Sequence, residues 1–327
     1  MNSYRKIKFL HIVEYASVRA LFGFLKLLPY STRISFVHFV LKFLSLIAST
    51  IPKRIKGGIQ QAFSEMKTSD VEKIFRENLK ITARMVVDFE EGPRMNDDFL
   101  KDKFLYEPSE EEFRKICRGG GILILGHLGN WETHGVGITR ALRETGVELY
   151  VFSKRQSNRL TNDWIEKTRA KQNIKLIYTD ESPRVALSLL KKGHLVAFIA
   201  DQDAGKHGLF IPFLGKPAST FLGPAVFARS IDSPVHFMWS RYTPEGKLVL
   251  GTLPLERPAI DPKKDSDLWE KAFTYNWVKI LEKKVLEHPA SYFWLHRRWK
   301  RQPENPEEVL LFWKEFSAKN WFSGNKN

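Results

Sequence analysis

His127 stands between an apolar run, Gly121-Ile122-Leu123-Ile124-Leu125, and a helix-start signal, Asn130-Trp131-Glu132. An imidazole delivered to the end of a buried strand, with a carboxylate in the first turn of the next helix, suits a general base that takes a proton from an alcohol or amine. The Asn130 side-chain oxygen can accept a free amide at the helix start, which makes Asn130 the expected N-cap. Glu132 is then the second helical residue, where the helix dipole favours an ionised carboxylate. Such a carboxylate can hold an imidazole in one tautomer and stabilise it once protonated, so the expected pair is His127 oriented by Glu132. The plainer alternative is a half-buried histidine and a solvated acid; the strand-turn-helix placement weighs against it. Gly135 and Gly137 weaken the same helix, which close packing on a sheet or an approach of substrate to the backbone would explain.

Other residues carry weaker signals. Tyr150-Val151-Phe152-Ser153-Lys154-Arg155 ends a strand in two cations, with Asn158 close by. These are candidates for holding a reacting carbonyl or a phosphate, or they form a solvated basic loop. Asp201-Gln202-Asp203 also follows a strand, at the edge where α/β sheets place ligands; a structural or substrate-positioning role is favoured over metal ligation. His127, His134 and Asp201 would form a metal site only by coincidence of folding, and no H-E-x-x-H or cysteine cluster is present. Trp294, His296, Arg297, Arg298, Lys300 and Arg301 set charge beside aromatics, which suits an anionic headgroup, an acidic carrier, a nucleic acid or a solvated face. A G-x-S-x-G elbow is absent. Gly119-Gly120-Gly121 lacks the Lys-Ser of a phosphate loop and reads as an entry turn. The single cysteine, Cys117, reads as structural.

The segment His127-Leu128-Gly129-Asn130-Trp131-Glu132 resembles the H-x-x-x-x-(D/E) motif of glycerolipid acyltransferases, in the H-x-x-N-W-E wording of the bacterial lipid A late acyltransferases. Further stretches agree in order: Ala200 to Asp203, Phe210 to Gly215, Pro217 to Thr220, Gly223 to Val235, and Phe293 to Arg298. Together they cover most of the chain, and their order is more specific than any one of them. That family usually has an arginine four residues before the asparagine at Asn158; here Lys154 stands in that register, with Arg155 one step along. Lysine is a mobile point charge and arginine a planar fork, so the departure leaves open which cation acts.

The net charge is +15. Met1 to Gln60 hold ten Lys or Arg against one acid, Glu14, in a stretch rich in Phe, Leu, Ile and Val. A basic surplus can address nucleic acid, membrane or an anionic substrate; the apolar content favours a membrane surface. Lys8, His11, Tyr15, Arg19 and Lys26 recur along one helical stripe, and His38, Lys42, Ser45, Ser49 and Lys53 repeat it after Pro29. Neither run has the roughly 20 uninterrupted apolar residues of a spanning helix. Both suit helices lying in the interface, retained rather than cleaved. Core helices of a helical subdomain are the alternative.

Downstream, short strands and helices alternate. Strands are expected at Ile122–Leu125, Glu148–Phe152, Ile174–Tyr178 and Leu195–Ala200, with a hairpin over Val235–Tyr242 and Lys247–Leu253 and a strand over Ser291–Leu295. The fold class is α/β, a mixed central sheet with helices on both faces, preceded by N-terminal membrane-associated amphipathic helices. The 327 residues, 43% of them apolar, are enough for one large domain with appendages. We divide them into N-terminal anchoring helices (1–56), a helical lead-in (57–104), a catalytic α/β domain (105–302) and a helical tail (303–327).

The resemblance implies a glycerolipid-acyltransferase-like enzyme at the cytoplasmic face of a bacterial inner membrane. It would move an acyl chain from acyl carrier protein or acyl-CoA to a hydroxyl of a phosphorylated glycolipid, a lipid A precursor. The implied site is His127 and Glu132, with Asn130 as cap and Lys154, Arg155, Asn158, Asp201, Gln202, His296 and Arg297 as substrate or oxyanion candidates. An apolar groove near Phe210, Phe213 and Phe221 would hold the chain. No cofactor, metal or nucleic acid is expected. Another glycolipid acceptor, such as a phosphatidylinositol mannoside or an ornithine-type lipid, and a non-catalytic basic membrane or nucleic-acid binder are the open alternatives.

Overall fold

The computed structural model describes residues 7–322; the first six residues of the basic N-terminal segment and the last five of the tail lie outside the described residues. The chain opens with four helices, α1 (Phe9–Leu25), α2 (Tyr30–Ile47), α3 (Thr50–Ala62) and α4 (Thr68–Glu91). Then come α5 (Asp97–Lys103), β1 (Phe104–Glu107), α6 (Glu110–Arg118), β2 (Gly121–Leu125) and α7 (Trp131–Ala141). Next follow β3 (Leu149–Ser153), α8 (Arg159–Ala170), β4 (Ile174–Tyr178), α9 (Pro183–Lys191) and β5 (Leu195–Ile199). A short hairpin of β6 (Leu209–Phe213) and β7 (Lys216–Thr220) leads to α10 (Gly223–Ser230), β8 (Val235–Tyr242), β9 (Leu248–Pro254), α11 (Ser266–Glu287) and α12 (Pro306–Ser317).

Seven strands form one mixed sheet in the order β1-β9-β8-β2-β5-β3-β4. β8, β2, β5, β3 and β4 are mutually parallel, and β9 runs antiparallel to β8. From β2 the chain first builds outward through β3 and β4, returns with β5, and later adds β8 on the other side. The order therefore reverses at β2, the point where α/β sheets place ligands. All five residues of β2 are buried, because both faces are covered. Ile122, Ile124, Val196 and Phe198 face a core completed by α3, α4, α10 and α11. Leu123, Leu125 and Ala197 face the other core, with Phe113, Val136 and Ile138 from α6 and α7. Gly137 is needed at this contact: a Cβ there would come within 2.3 Å of Leu250 Cδ1.

Two further elements complete this layout, and one expected strand is absent. The polar stretch after Gly92 contains α5, because Asn96 caps it by accepting the Phe99 N–H at 2.9 Å. The block from Phe210 to Thr220 is a separate antiparallel hairpin. Ser291–Leu295 is not a strand; it makes one antiparallel bridge, Leu128 to Tyr292, and lies over the loop after β2. The apolar alternation there reflects packing on that loop, not a place in the sheet.

His134 is fully buried in α7 against Phe113, ring centroids 5.9 Å apart. Burial pushes its pKa down to about 3. The unfolded chain takes up this proton below the ordinary histidine value and the folded chain does not, so stability falls as pH drops from about 6.5 toward 3. His134→Leu should therefore lose less stability than wild type between about pH 7.5 and about pH 5, by ~2 kcal/mol. Urea unfolding at both pH values measures this, and identical pH dependence of the two proteins would contradict it.

Candidate active site

β2 and β5 pair in parallel with Leu125 opposite Ile199, and the Ala200 N–H donates to the Leu125 carbonyl at 3.1 Å. The two chains thus leave the sheet side by side, which brings His127 against Asp201. Asp201 is 1% exposed. Its Oδ1 lies 2.5 Å from His127 Nδ1, and its Oδ2 accepts the His127 backbone N–H at 2.9 Å. Burial pushes the Asp201 carboxyl up, but the His127 charge and hydrogen bonds, with the charge of Arg298, outweigh it and leave the group below its ordinary value. The carboxylate is therefore ionised at neutral pH and can only accept, so Nδ1 donates its N–H to it, and in the neutral ring the lone pair then lies on Nε2. Gln202 Nε2 is 3.3 Å from that nitrogen.

Aromatic rings frame the imidazole. Trp131 packs edge-on at 4.7 Å between centroids and Phe293 lies at 6.0 Å. The Phe293 N–H donates to the His127 carbonyl at 3.0 Å. The His127 side chain remains 16% exposed, so the ring is not sealed from the surface.

The carboxylate that meets the imidazole is Asp201, not Glu132. Successive helical residues are rotated by about 100°, so with Trp131 against His127, Glu132 turns toward α8. There it binds Arg169 in a fork, 2.6 Å to Nη2 and 3.1 Å to Nε. The pair sits over a small apolar cavity of about 30 Å³ beside Leu125, Val151 and Ile199.

The remaining expected residues divide. Asp201 and Gln202 touch His127, and His296 is adjacent, its Nε2 accepting the Asp203 N–H at 2.8 Å. Burial pulls the His296 pKa down and favours the neutral ring. Lys154 is exposed. Arg155 stacks on Tyr178 at 3.5 Å and faces Asp180 at 3.3 Å, away from the imidazole. Asn158 caps α8 and donates to the His11 carbonyl and Glu14 of α1, each at 3.0 Å, so it serves a helix junction. Arg297 is exposed. Phe213 is core, packed on Tyr292 and Trp299, and does not line a groove. Phe210 is half-buried beside α12 and Phe221 is exposed.

Two buried groups support the site: Arg298, expected only as one member of a basic cluster, and Asp88, which no local signal singled out. Arg298, 1% exposed, donates to the Ser219 carbonyl at 2.5 Å, the Gln202 carbonyl at 3.3 Å and Thr220 Oγ1 at 2.6 Å. It locks the segment after β5 to β7. Asp88 of α4 is fully buried and holds the turn after β2. Its Oδ2 accepts Asn130 Nδ2–H at 3.1 Å and the Tyr242 hydroxyl at 2.5 Å. Its Oδ1 accepts Lys103 Nζ–H at 2.6 Å and the Tyr30 hydroxyl of α2. Asn130 meanwhile caps α7, its Oδ1 accepting the Thr133 N–H at 3.0 Å.

Comparison with known proteins bears on what this site does. A family described as bacterial lipid A biosynthesis acyltransferase matches residues 3–301. The chain is 28% identical to the lipid A biosynthesis lauroyltransferase of Escherichia coli K12 over 167 residues, 50% of this chain and 51% of that protein. It thus spans about half the length of that relative. It is 23% identical over 263 residues to the lipid A biosynthesis palmitoleoyltransferase of the same organism, and equally to a lipid A biosynthesis acyltransferase of Shigella flexneri, covering 78% of this chain and 81% of each relative.

Proposed function

The chain belongs to the bacterial lipid A biosynthesis acyltransferases, and on that premise we propose that it moves a fatty acyl chain from acyl carrier protein to a hydroxyl of a lipid A precursor. The observation that carries the mechanism is the imidazole of His127 held at Nδ1 by buried, ionised Asp201, with Gln202 beside Nε2 and the ring partly exposed. Nε2 takes the proton of the acceptor hydroxyl as its oxygen attacks the thioester carbonyl. The tetrahedral intermediate collapses, the thiolate leaves, and the imidazolium returns the proton to sulfur. Asp201 stays ionised throughout and stabilises the imidazolium. No acyl-enzyme forms. Glu132 serves the site as the anchor of Arg169.

We place this reaction at the cytoplasmic face of the bacterial inner membrane. Support comes from α1, α2 and the turn between them, which leave Phe9 and Leu27 81% exposed and Leu46 77% exposed, with Leu10, Phe39 and Ile47 also bare. Apolar surface of this extent fits a helix pair seated in a lipid interface. Among the described residues no single helix is long and apolar enough to cross a membrane; α2 and α3 reach that length and composition only as a pair bent by 93°.

The acceptor is tested by giving wild type labelled acyl carrier protein with, separately, tetra-acylated lipid A precursor, phosphatidylinositol mannoside and ornithine lipid in detergent micelles. Product with the first alone is expected. Product with another acceptor and none with the first would overturn the assignment.

A further inference from the structure

Part of the basic stripe along α1 lines a cleft. Tyr15, Arg19 and Lys26 turn toward α8 and the end of α4, while Phe9, Leu10, Phe24 and Leu27 of the same segment are exposed. Between these helices lies a cleft of about 630 Å³. Trp164 lines it, fixed between the rings of Phe22 and Phe89 at 5.4 and 5.5 Å. Arg19 lies over the Trp164 ring at 5.6 Å. Five cations line the cleft, Arg19, Lys26, Arg94, Lys167 and Lys171, against two acids, Glu90 and Asp163. Lys26 is matched by Glu90 at 2.7 Å and Arg94 by Glu91 at 2.7 Å. The side chains of Lys167 and Lys171, one turn apart at the C-terminal end of α8 and exposed, have no hydrogen-bond or ion-pair partner among the described residues.

We propose that this cleft binds the phosphate of an anionic lipid headgroup. Cations unmatched by protein acids, converging on a cleft with an aromatic wall, present a site for a compact anion. The lipid source follows from the neighbouring apolar face. A helix is about 10 Å across, and an interfacial helix sinks ~5–10 Å into the headgroup boundary. With its apolar side in the leaflet, α1 therefore holds the cleft at headgroup height. The cleft shares no residue with the surroundings of His127, so it is a separate seat for lipid. The proposal rests on the reading that the enzyme works at a membrane surface.

Vesicle co-sedimentation of the full chain tests it. Phosphatidylcholine vesicles with and without phosphatidylglycerol are compared for wild type, Lys167→Glu/Lys171→Glu, and the exposed control pair Lys191→Glu/Lys192→Glu. The cleft variant should bind phosphatidylglycerol vesicles about tenfold or more weakly, with binding to pure phosphatidylcholine unchanged and the control pair within about twofold of wild type. Equal weakening by the control pair would reduce the effect to net charge and overturn the site. So would normal vesicle binding by the cleft variant with loss of binding to acyl carrier protein in solution, which would assign the cleft to an acidic protein. Acyl transfer in detergent micelles should stay within about twofold for the cleft variant. A wild type that binds these vesicles but transfers no acyl chain would sink the proposed reaction and leave the cleft standing.

Discussion

Asp201→Asn should lower kcat by ~10³–10⁴-fold while the protein remains folded. An amide at this position still fills the space but carries no charge, and it can present its N–H₂ to Nδ1. The ring then takes the tautomer with its proton on Nε2, where it cannot accept one from the acceptor hydroxyl. The imidazolium of the transition state also loses its counter-charge. Because the folded carboxyl lies below its ordinary value, its stability contribution is present above the unfolded carboxylate pKa, about 4, and disappears as pH falls through the lower folded value. Wild type should therefore exceed Asp201→Asn in stability at neutral pH, and the gap should close below about pH 4. Steady-state acyl transfer and denaturant unfolding across pH measure both effects. Near-wild-type kcat in Asp201→Asn would remove the carboxylate from the mechanism.

Gly129→Ala should abolish activity and destabilise the fold by ~3 kcal/mol or more. Gly129 has φ +68°, and a Cβ there would stand 2.0 Å from the Ser240 carbonyl oxygen. This turn has little room to yield. The Gly129 N–H donates to the Ser291 carbonyl at 2.8 Å, and the Asn130 N–H donates to Ser240 Oγ at 3.0 Å. Moving it displaces His127 on one side and the cap of α7 on the other. Gly146→Ala is the matched control: φ is +72° with nothing within 4 Å of the new Cβ, so it should cost only ~1 kcal/mol from conformation. Equal losses in the two variants, read by urea unfolding, would show that the clash with Ser240 is relieved cheaply.

The strand-turn-helix carrying His127 was legible because its signals are local. An unbroken apolar run, a glycine turn and an asparagine cap lie within a dozen residues. The partner of the imidazole was harder to read. Glu132 is five positions away and Asp201 is 74, and only the β2–β5 pairing makes the distant acid the near one. Arg298 sits in a charge run that resembles a solvated face, and nothing local marks it as the member that is buried. Asp88 reads as one polar residue on a long helix; its value to the Asn130 turn comes from Tyr242 and Lys103, remote in sequence. The N-terminal helices were expected from periodicity, but which side of α1 faces out depends on how α8 packs against it. The alternation at Ser291–Leu295 suggests a strand for the same reason: it marks burial on one side without saying what covers it.

The most direct test is acyl transfer from labelled acyl carrier protein to a tetra-acylated lipid A precursor in detergent micelles, comparing wild type with His127→Ala. Product from wild type and a loss of ~10²–10⁴-fold or more in His127→Ala, with unfolding curves that overlay, is the predicted result. Transfer that survives His127→Ala at a comparable rate would contradict His127 as the base.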